Sequence, residues 1–89
     1  METPIRSAHQ LGQLLAAARR KKCLSQRDVA KKLGVTQTWI SQVERGHQFA
    51  RLGQVLRLAT WLGIEFTGSV PESRPPDSGS EYPDINKLV

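Results

Sequence analysis

Cysteine is nearly missing from this chain: Cys23 is the only one in 89 residues. That excludes an intrachain disulfide framework and a thiol cluster for zinc, and a cytoplasmic setting is expected. Long apolar runs are missing too. None approaches the roughly 20 residues of a membrane-spanning helix, and the N-terminal METPIRSAHQ lacks the charged and apolar regions of a signal peptide, so no membrane partner is expected. Groups that do chemistry are scarce. His9 and His47 are isolated, Cys23 has no evident base, and there is no glycine-rich phosphate loop or metal-ligand spacing. The expectation is no enzyme, no catalytic residue, no metal and no cofactor.

Positive charge is what the chain has in excess, and it is unevenly spread. Residues 1–69 carry eleven Lys or Arg against Glu2, Asp28, Glu44 and Glu65, whereas residues 70–89 carry Arg74 and Lys87 against Glu72, Asp77, Glu81 and Asp84. A basic folded part with an acidic tail suits a polyanion binder; a solvated basic surface is the alternative. A hydrophobic content of 38% suffices for one small helical core.

The chain is organised around Ser25 to Gly46, SQRDVAKKLGVTQTWISQVERG. Ser25 with Asp28 has the pattern of a helix start, and Val29, Ala30 and Leu33 mark one helical face. Gly34 stands where a helix exits through a left-handed residue, Thr36 caps a second helix running to Glu44 or Arg45, and Gly46 ends it. Helix, tight glycine turn and helix form the unit whose second helix enters the major groove of DNA.

Upstream, Ser7 and Gln10 form a capping box, and Leu11, Leu14, Leu15 and Ala18 give a helix from about Ala8 to Lys22. Its basic end, Arg19 to Lys22, complements the helix dipole and is equally suited to phosphate contact. Downstream, a fourth helix begins at Arg51 and closes at Gly63. Its expected core face is Leu52, Val55, Leu56, Ala59 and Leu62, with Leu58 to one side and Trp61 nearly opposite. An outward Trp61 suggests contact with a second molecule.

Ile64 to Val70 alternates Ile64, Phe66 and Val70 with polar residues, the period of a strand. With no second strand in the chain, the favoured partner is the same segment of another copy, in an antiparallel ribbon across a twofold axis. An extended segment lying on its own domain is the alternative. The expected dimer interface is Trp61, Ile64, Phe66 and Val70. Residues 1–70 thus form a DNA-binding and dimerisation domain, and residues 71–89, rich in Pro, Ser, Gly and acids, form a disordered tail. That tail ends in Tyr82, Ile85, Leu88 and Val89, which suit docking to a protein partner or a degradation tag, or are idle.

On the second helix of the motif, Ile40 and Val43 define the buried side, so Thr38, Ser41, Gln42 and Arg45 face away, with Gln37 at the flank near the helix start. Such side chains bond base edges: Gln pairs with adenine, and Ser and Thr bond several bases. Trp39 is expected to pack with partial exposure. Gln26 opens the preceding helix, where free N–H groups and its side chain suit a phosphate. Arg27, Lys31 and Lys32 add to the general field.

The stretch LSQRDVAKKLGVTQTWISQVERG resembles the Cro and phage-repressor (XRE) class of helix-turn-helix proteins, matching it at Gln26, Ala30, Gly34, Val35, Ile40, Glu44 and Gly46. The resemblance covers residues 8–63 and implies an all-α, lambda-repressor-like domain of four to five helices, with a short C-terminal strand pairing across a dimer. It further implies that Gln26 holds a phosphate, that Gln37, Thr38 and Gln42 read bases, and that Arg19 pairs with Glu44. The IEFTG segment after the WLG helix end is similar to that of HipB-type antitoxins. Those are dimers that bind inverted-repeat operators and a HipA-type kinase toxin. The resemblance therefore implies a dimeric repressor of double-stranded operator DNA serving as an antitoxin. A stand-alone XRE-type regulator and a protein-interaction adaptor that does not read DNA are the alternatives.

Overall fold

The computed structural model describes residues 4–72, which form α1 (Ala8–Lys21), α2 (Gln26–Leu33), α3 (Gln37–Glu44) and α4 (Leu52–Trp61). The first three helices each start where a side chain takes up a free backbone N–H. Ser7 Oγ accepts from the Gln10 amide and Thr36 Oγ1 from the Trp39 amide, both at 3.0 Å. The Ser25–Asp28 box is reciprocal: Ser25 Oγ accepts from the Asp28 amide at 3.0 Å, and Asp28 Oδ2 accepts from the Ser25 amide at 2.9 Å. At α1 the return bond is displaced by one residue, because Gln10 Oε1 accepts from the Arg6 amide.

The sharp turn between α2 and α3 depends on Gly34, whose φ of +73° is left-handed. The next amide, Val35, donates back to the Ala30 carbonyl, and Thr36 at once caps α3. Three residues thus redirect the chain, and α3 packs against both α1 and α2. Leu15, Val29, Ile40 and Leu58 are wholly buried at the centre, with Leu33, Val43, Val55, Ala59 and Leu62 around them. Burying each large side chain stabilises the fold by about 1.5–3 kcal/mol.

The end of α1 departs from ideal geometry at Cys23, a non-glycine residue with φ +58°, a conformation usually left to glycine. It is held by bonds from the Cys23 amide to the Arg20 carbonyl and from the Leu24 amide to the Arg19 carbonyl.

Two expectations about α4 are corrected here. The core face of α4 is Val55, Leu58, Ala59 and Leu62, whereas Leu52 is 66% and Leu56 40% exposed. Trp61 does not stand opposite the core but is half-buried against it. The apolar residues of α4 span more than half its circumference, so their period fits two faces. Packing selects one rotated by roughly half of the 100° step between successive residues. Within the single chain Ile64–Val70 has no strand partner, and the described residues are all-α with four helices. Its first amide, Ile64, donates to the Ala59 carbonyl and its side chain packs on the core. The segment from there to Glu72 has neither helix nor strand. Most of the expected tail, including Tyr82, Ile85, Leu88 and Val89, lies outside the described residues.

Candidate nucleic-acid interface

Helix α3 is fixed by its inner side. Ile40 is wholly buried and Val43 nearly so, while Trp39, half-buried, packs on the core at one flank. The opposite side is left to Gln37, Thr38, Gln42 and Arg45, all exposed, with Ser41 half-buried beside them. The helix therefore presents amides, hydroxyls and one guanidinium, groups that bond to base edges, and no large apolar side chain. The structure places the expected reading residues together on one surface.

Behind that surface a buried network joins α1, α2 and α3. Arg19 donates from Nε to Glu44 Oε2 at 2.7 Å and from Nη2 to Oε1 at 3.1 Å. Its Nη1 donates to the Leu24 carbonyl at 2.7 Å, so one side chain secures both the end of α1 and the end of α3. The two side chains are only 10% and 7% exposed. Gln26 Nε2 donates to Glu44 Oε1 at 2.9 Å. Burial pushes the Glu44 carboxyl up, but the hydrogen bonds from Arg19 and Gln26 and the charges of Arg19 and Arg20 outweigh it and hold the acid below its ordinary range. The hydrogen bond to Glu44 raises Arg19. Glu44 is thus a structural clamp, as the resemblance implied. An amide nitrogen carries two hydrogens, so Gln26 keeps one for another acceptor while Glu44 fixes its direction.

Beside the network lies a polar notch lined by Gln13, Ala16, Arg20, Gln26, Ser41, Glu44 and Arg45, with a volume of about 450 Å³. Gln13 is new to the site, and Arg20 was expected only as one of the basic run Arg19 to Lys22. Their signal was in the sequence, since Gln13, Ala16 and Arg20 recur at the i, i+3, i+7 spacing of one helical face. Gly12 was also overlooked. A Cβ there would lie 2.5 Å from the carbonyl oxygens of both Val43 and Glu44, so α1 approaches α3 as closely as only glycine permits.

The residues expected at a dimer interface are not gathered on one face of a helix. Trp61 and Ile64 pack on the core, whereas Phe66 is 42% and Val70 88% exposed on the extended segment. Among the described residues there is no cluster of three potential metal ligands, and no helix is long and apolar enough to cross a membrane.

Residues 10–65 match the model of a helix-turn-helix domain family. The chain belongs to this family of DNA-binding domains. An uncharacterized HTH-type transcriptional regulator, y4dL, of Sinorhizobium fredii is 35% identical over 78 residues. The match takes in 82% of this chain and 40% of the relative, so this helix-turn-helix chain spans less than half the length of that curated relative. Among solved structures, a chain of a HipA-HipB-O2-O3 complex aligns with a TM-score of 0.69 and 24% identity, covering 80% of this chain and 100% of that one. That likeness is one of fold. The restriction-modification controller protein C.AhdI from Aeromonas hydrophila aligns with a TM-score of 0.58 at 38% identity, covering 65% of this chain and 88% of that one.

Proposed function

We propose that this helix-turn-helix regulator binds operator DNA as a dimer and represses transcription by laying two copies of α3 in successive major grooves. The observation that carries this reading is the division of α3 into a buried side, Ile40 and Val43, and an exposed side of Gln37, Thr38, Gln42 and Arg45. In this reading Gln37, Thr38 and Gln42 read bases, Ser41 and Arg45 contact DNA beside them, and Gln26 holds a phosphate. Residues 1–70 form the binding and dimerising unit. The Ile64–Val70 segments of two copies pair, bringing Phe66 and Val70 together, with Trp61 and Ile64 supporting them from the core. The likeness of fold to HipB-containing complexes supports the further reading of an antitoxin that also binds a HipA-type kinase.

A second reading has its own support. The greater identity to the controller protein C.AhdI favours a stand-alone regulator with no toxin partner. Co-purification of a kinase-like protein encoded beside this chain decides between the two.

Footprinting tests the DNA reading. A dimer protects two half-sites about one helical turn, or a multiple of it, apart. Gln42→Ala is expected to relax preference at one or two base positions, at about 1–3 kcal/mol for a bidentate contact. Gln26→Ala is expected to weaken binding to all sequences alike. Protection of a single asymmetric site, or a Gln42 variant with unchanged preference, counts against this reading.

A further inference from the structure

The notch beside α3 has a cationic wall that singles out Arg20 from the basic end of α1, Arg19 to Lys22, which the sequence left equally suited to the helix dipole and to phosphate contact. Gln13, Ala16 and Arg20 bring one face of α1 to it, Gln26 stands at the start of α2, Ser41 comes from α3, and Arg45 from the residue that caps the end of α3. Ala16, 6% exposed, is small enough to leave the space open. Glu44 also lines the notch, but its oxygens already accept from Arg19 and Gln26. Its negative charge is therefore matched from behind. The Arg19–Glu44 bridge is the only ion pair among the described residues, so neither Arg20 nor Arg45 is in contact with a carboxylate there, although the Arg20 charge acts on Glu44 at longer range.

The balance of the notch is thus cationic, with amide and hydroxyl donors between two guanidiniums. That composition suits a singly charged phosphodiester. The notch is partly open to solvent, which suits one unit of a long polyanion held by many contacts more than a small free anion. Ser41 of α3 and Arg45 at its C-terminal cap adjoin the base-reading residues, so a ligand seated there lies at the edge of the groove that α3 enters.

We propose that this notch seats one backbone phosphate of the DNA, with Arg20 of α1 as its cationic ligand alongside Gln26 and Arg45. The inference rests on the DNA-binding reading above and adds to it a contact from α1. Arg20 fixes the position of the duplex against the first helix and takes no part in reading sequence.

The test uses the full chain, its Arg20→Ala variant and a charge-matched control, Arg57→Ala, which removes an exposed cation of α4 outside the notch. Each is titrated over a salt series against a duplex selected from a random pool by the wild-type chain, and against mixed-sequence genomic DNA. Arg20→Ala is expected to weaken both complexes by the same factor, about tenfold at low salt, and to flatten the slope of log affinity against log salt by about 0.9, the value for one phosphate. Arg57→Ala is expected to leave that slope nearly unchanged. Replacing phosphates of the selected duplex one at a time by neutral methylphosphonates adds a positional readout. One substitution should weaken the wild-type complex and leave the Arg20→Ala complex unaffected. Equal slopes for the two variants, or an Arg20 variant still sensitive to every phosphate, would overturn the assignment of Arg20 while leaving the DNA reading intact. Failure of the wild-type chain to bind any duplex would sink both.

Discussion

The Arg19 guanidinium grips the Glu44 carboxylate through two nitrogens, at 2.7 and 3.1 Å, and so ties the end of α1 to the end of α3. Both side chains are nearly buried, so removing one leaves the other as an uncompensated charge. Glu44→Ala is expected to destabilise the domain by roughly 3 kcal/mol, measured by urea unfolding, and to weaken DNA binding through the loss of the Gln26 bond. The pH dependence follows from the shift. Glu44 is held below its ordinary value of 4.5 when folded, so its contribution is fully present above that value and is lost as pH falls through the lower folded one. The wild-type chain should lose stability below about pH 4.5, and Glu44→Gln should flatten that loss. An unchanged acid limb in the Gln variant would show that other carboxylates set it.

Gly12 and Gly53 give a second prediction, with opposite signs for the same substitution. In an open helix, alanine is more stable than glycine by about 0.5–1 kcal/mol. Gly53 has no atom within 4 Å of where a Cβ would sit, so Gly53→Ala is expected to raise stability by about 0.5 kcal/mol. At Gly12 the new Cβ meets backbone oxygens of Val43 and Glu44 at 2.5 Å. Backbone cannot rotate aside as a side chain can, so α1 must move off α3. Gly12→Ala is expected to cost roughly 3 kcal/mol, read as a lower midpoint in thermal unfolding.

The helix starts and the glycine turn were legible in the sequence because Ser7, Ser25, Thr36 and Gly34 act on residues within a few positions of themselves. The inner and outer sides of α3 were legible for a related reason, since Ile40 and Val43 are its only aliphatic residues. The Arg19–Glu44 pair, 25 residues apart, came from family resemblance, as no local spacing joins two residues on different helices. Other features depend on what a neighbouring element leaves free. Gly12 looks like any helical glycine until α3 lies against it, and Cys23 carries no turn signal although its backbone takes a left-handed φ. The notch needs α1, α2 and α3 together, so Gln13 and Arg20 gain meaning only once those helices are packed.

The face of α4 is the place where pattern and packing diverge, and it supplies a third prediction. Leu58 is 1% exposed and Leu56 40%. Leu58→Ala therefore empties a packed site and is expected to cost about 2–5 kcal/mol, whereas Leu56→Ala should cost less than about 1 kcal/mol in the isolated chain. Chemical denaturation of the two variants under one set of conditions checks this. A comparable loss at both positions would restore the broader core face that periodicity alone suggests.

The segment Ile64–Val70 has the alternation of a strand but no ladder among the described residues. Its backbone groups beyond Ile64 therefore remain available for pairing, a condition that folded domains seldom leave unattended. Pairing with a second copy meets that condition and covers Phe66 and Val70, which are otherwise exposed. The dimer proposal thus rests on Phe66 more than on Trp61, which its own core already half covers. Phe66→Asp puts two like charges close together across a twofold axis, while Thr67→Asp places the same charge on the opposite face of the segment. Sedimentation equilibrium should show the Phe66 variant as a monomer at concentrations where the wild-type chain and the Thr67 variant are dimers. The monomer should also bind a two-half-site duplex far more weakly, because its two recognition helices no longer bind as one unit. A Phe66→Asp chain that stays dimeric would move the interface elsewhere, with the exposed Leu52 and Leu56 of α4 as the next surface to substitute.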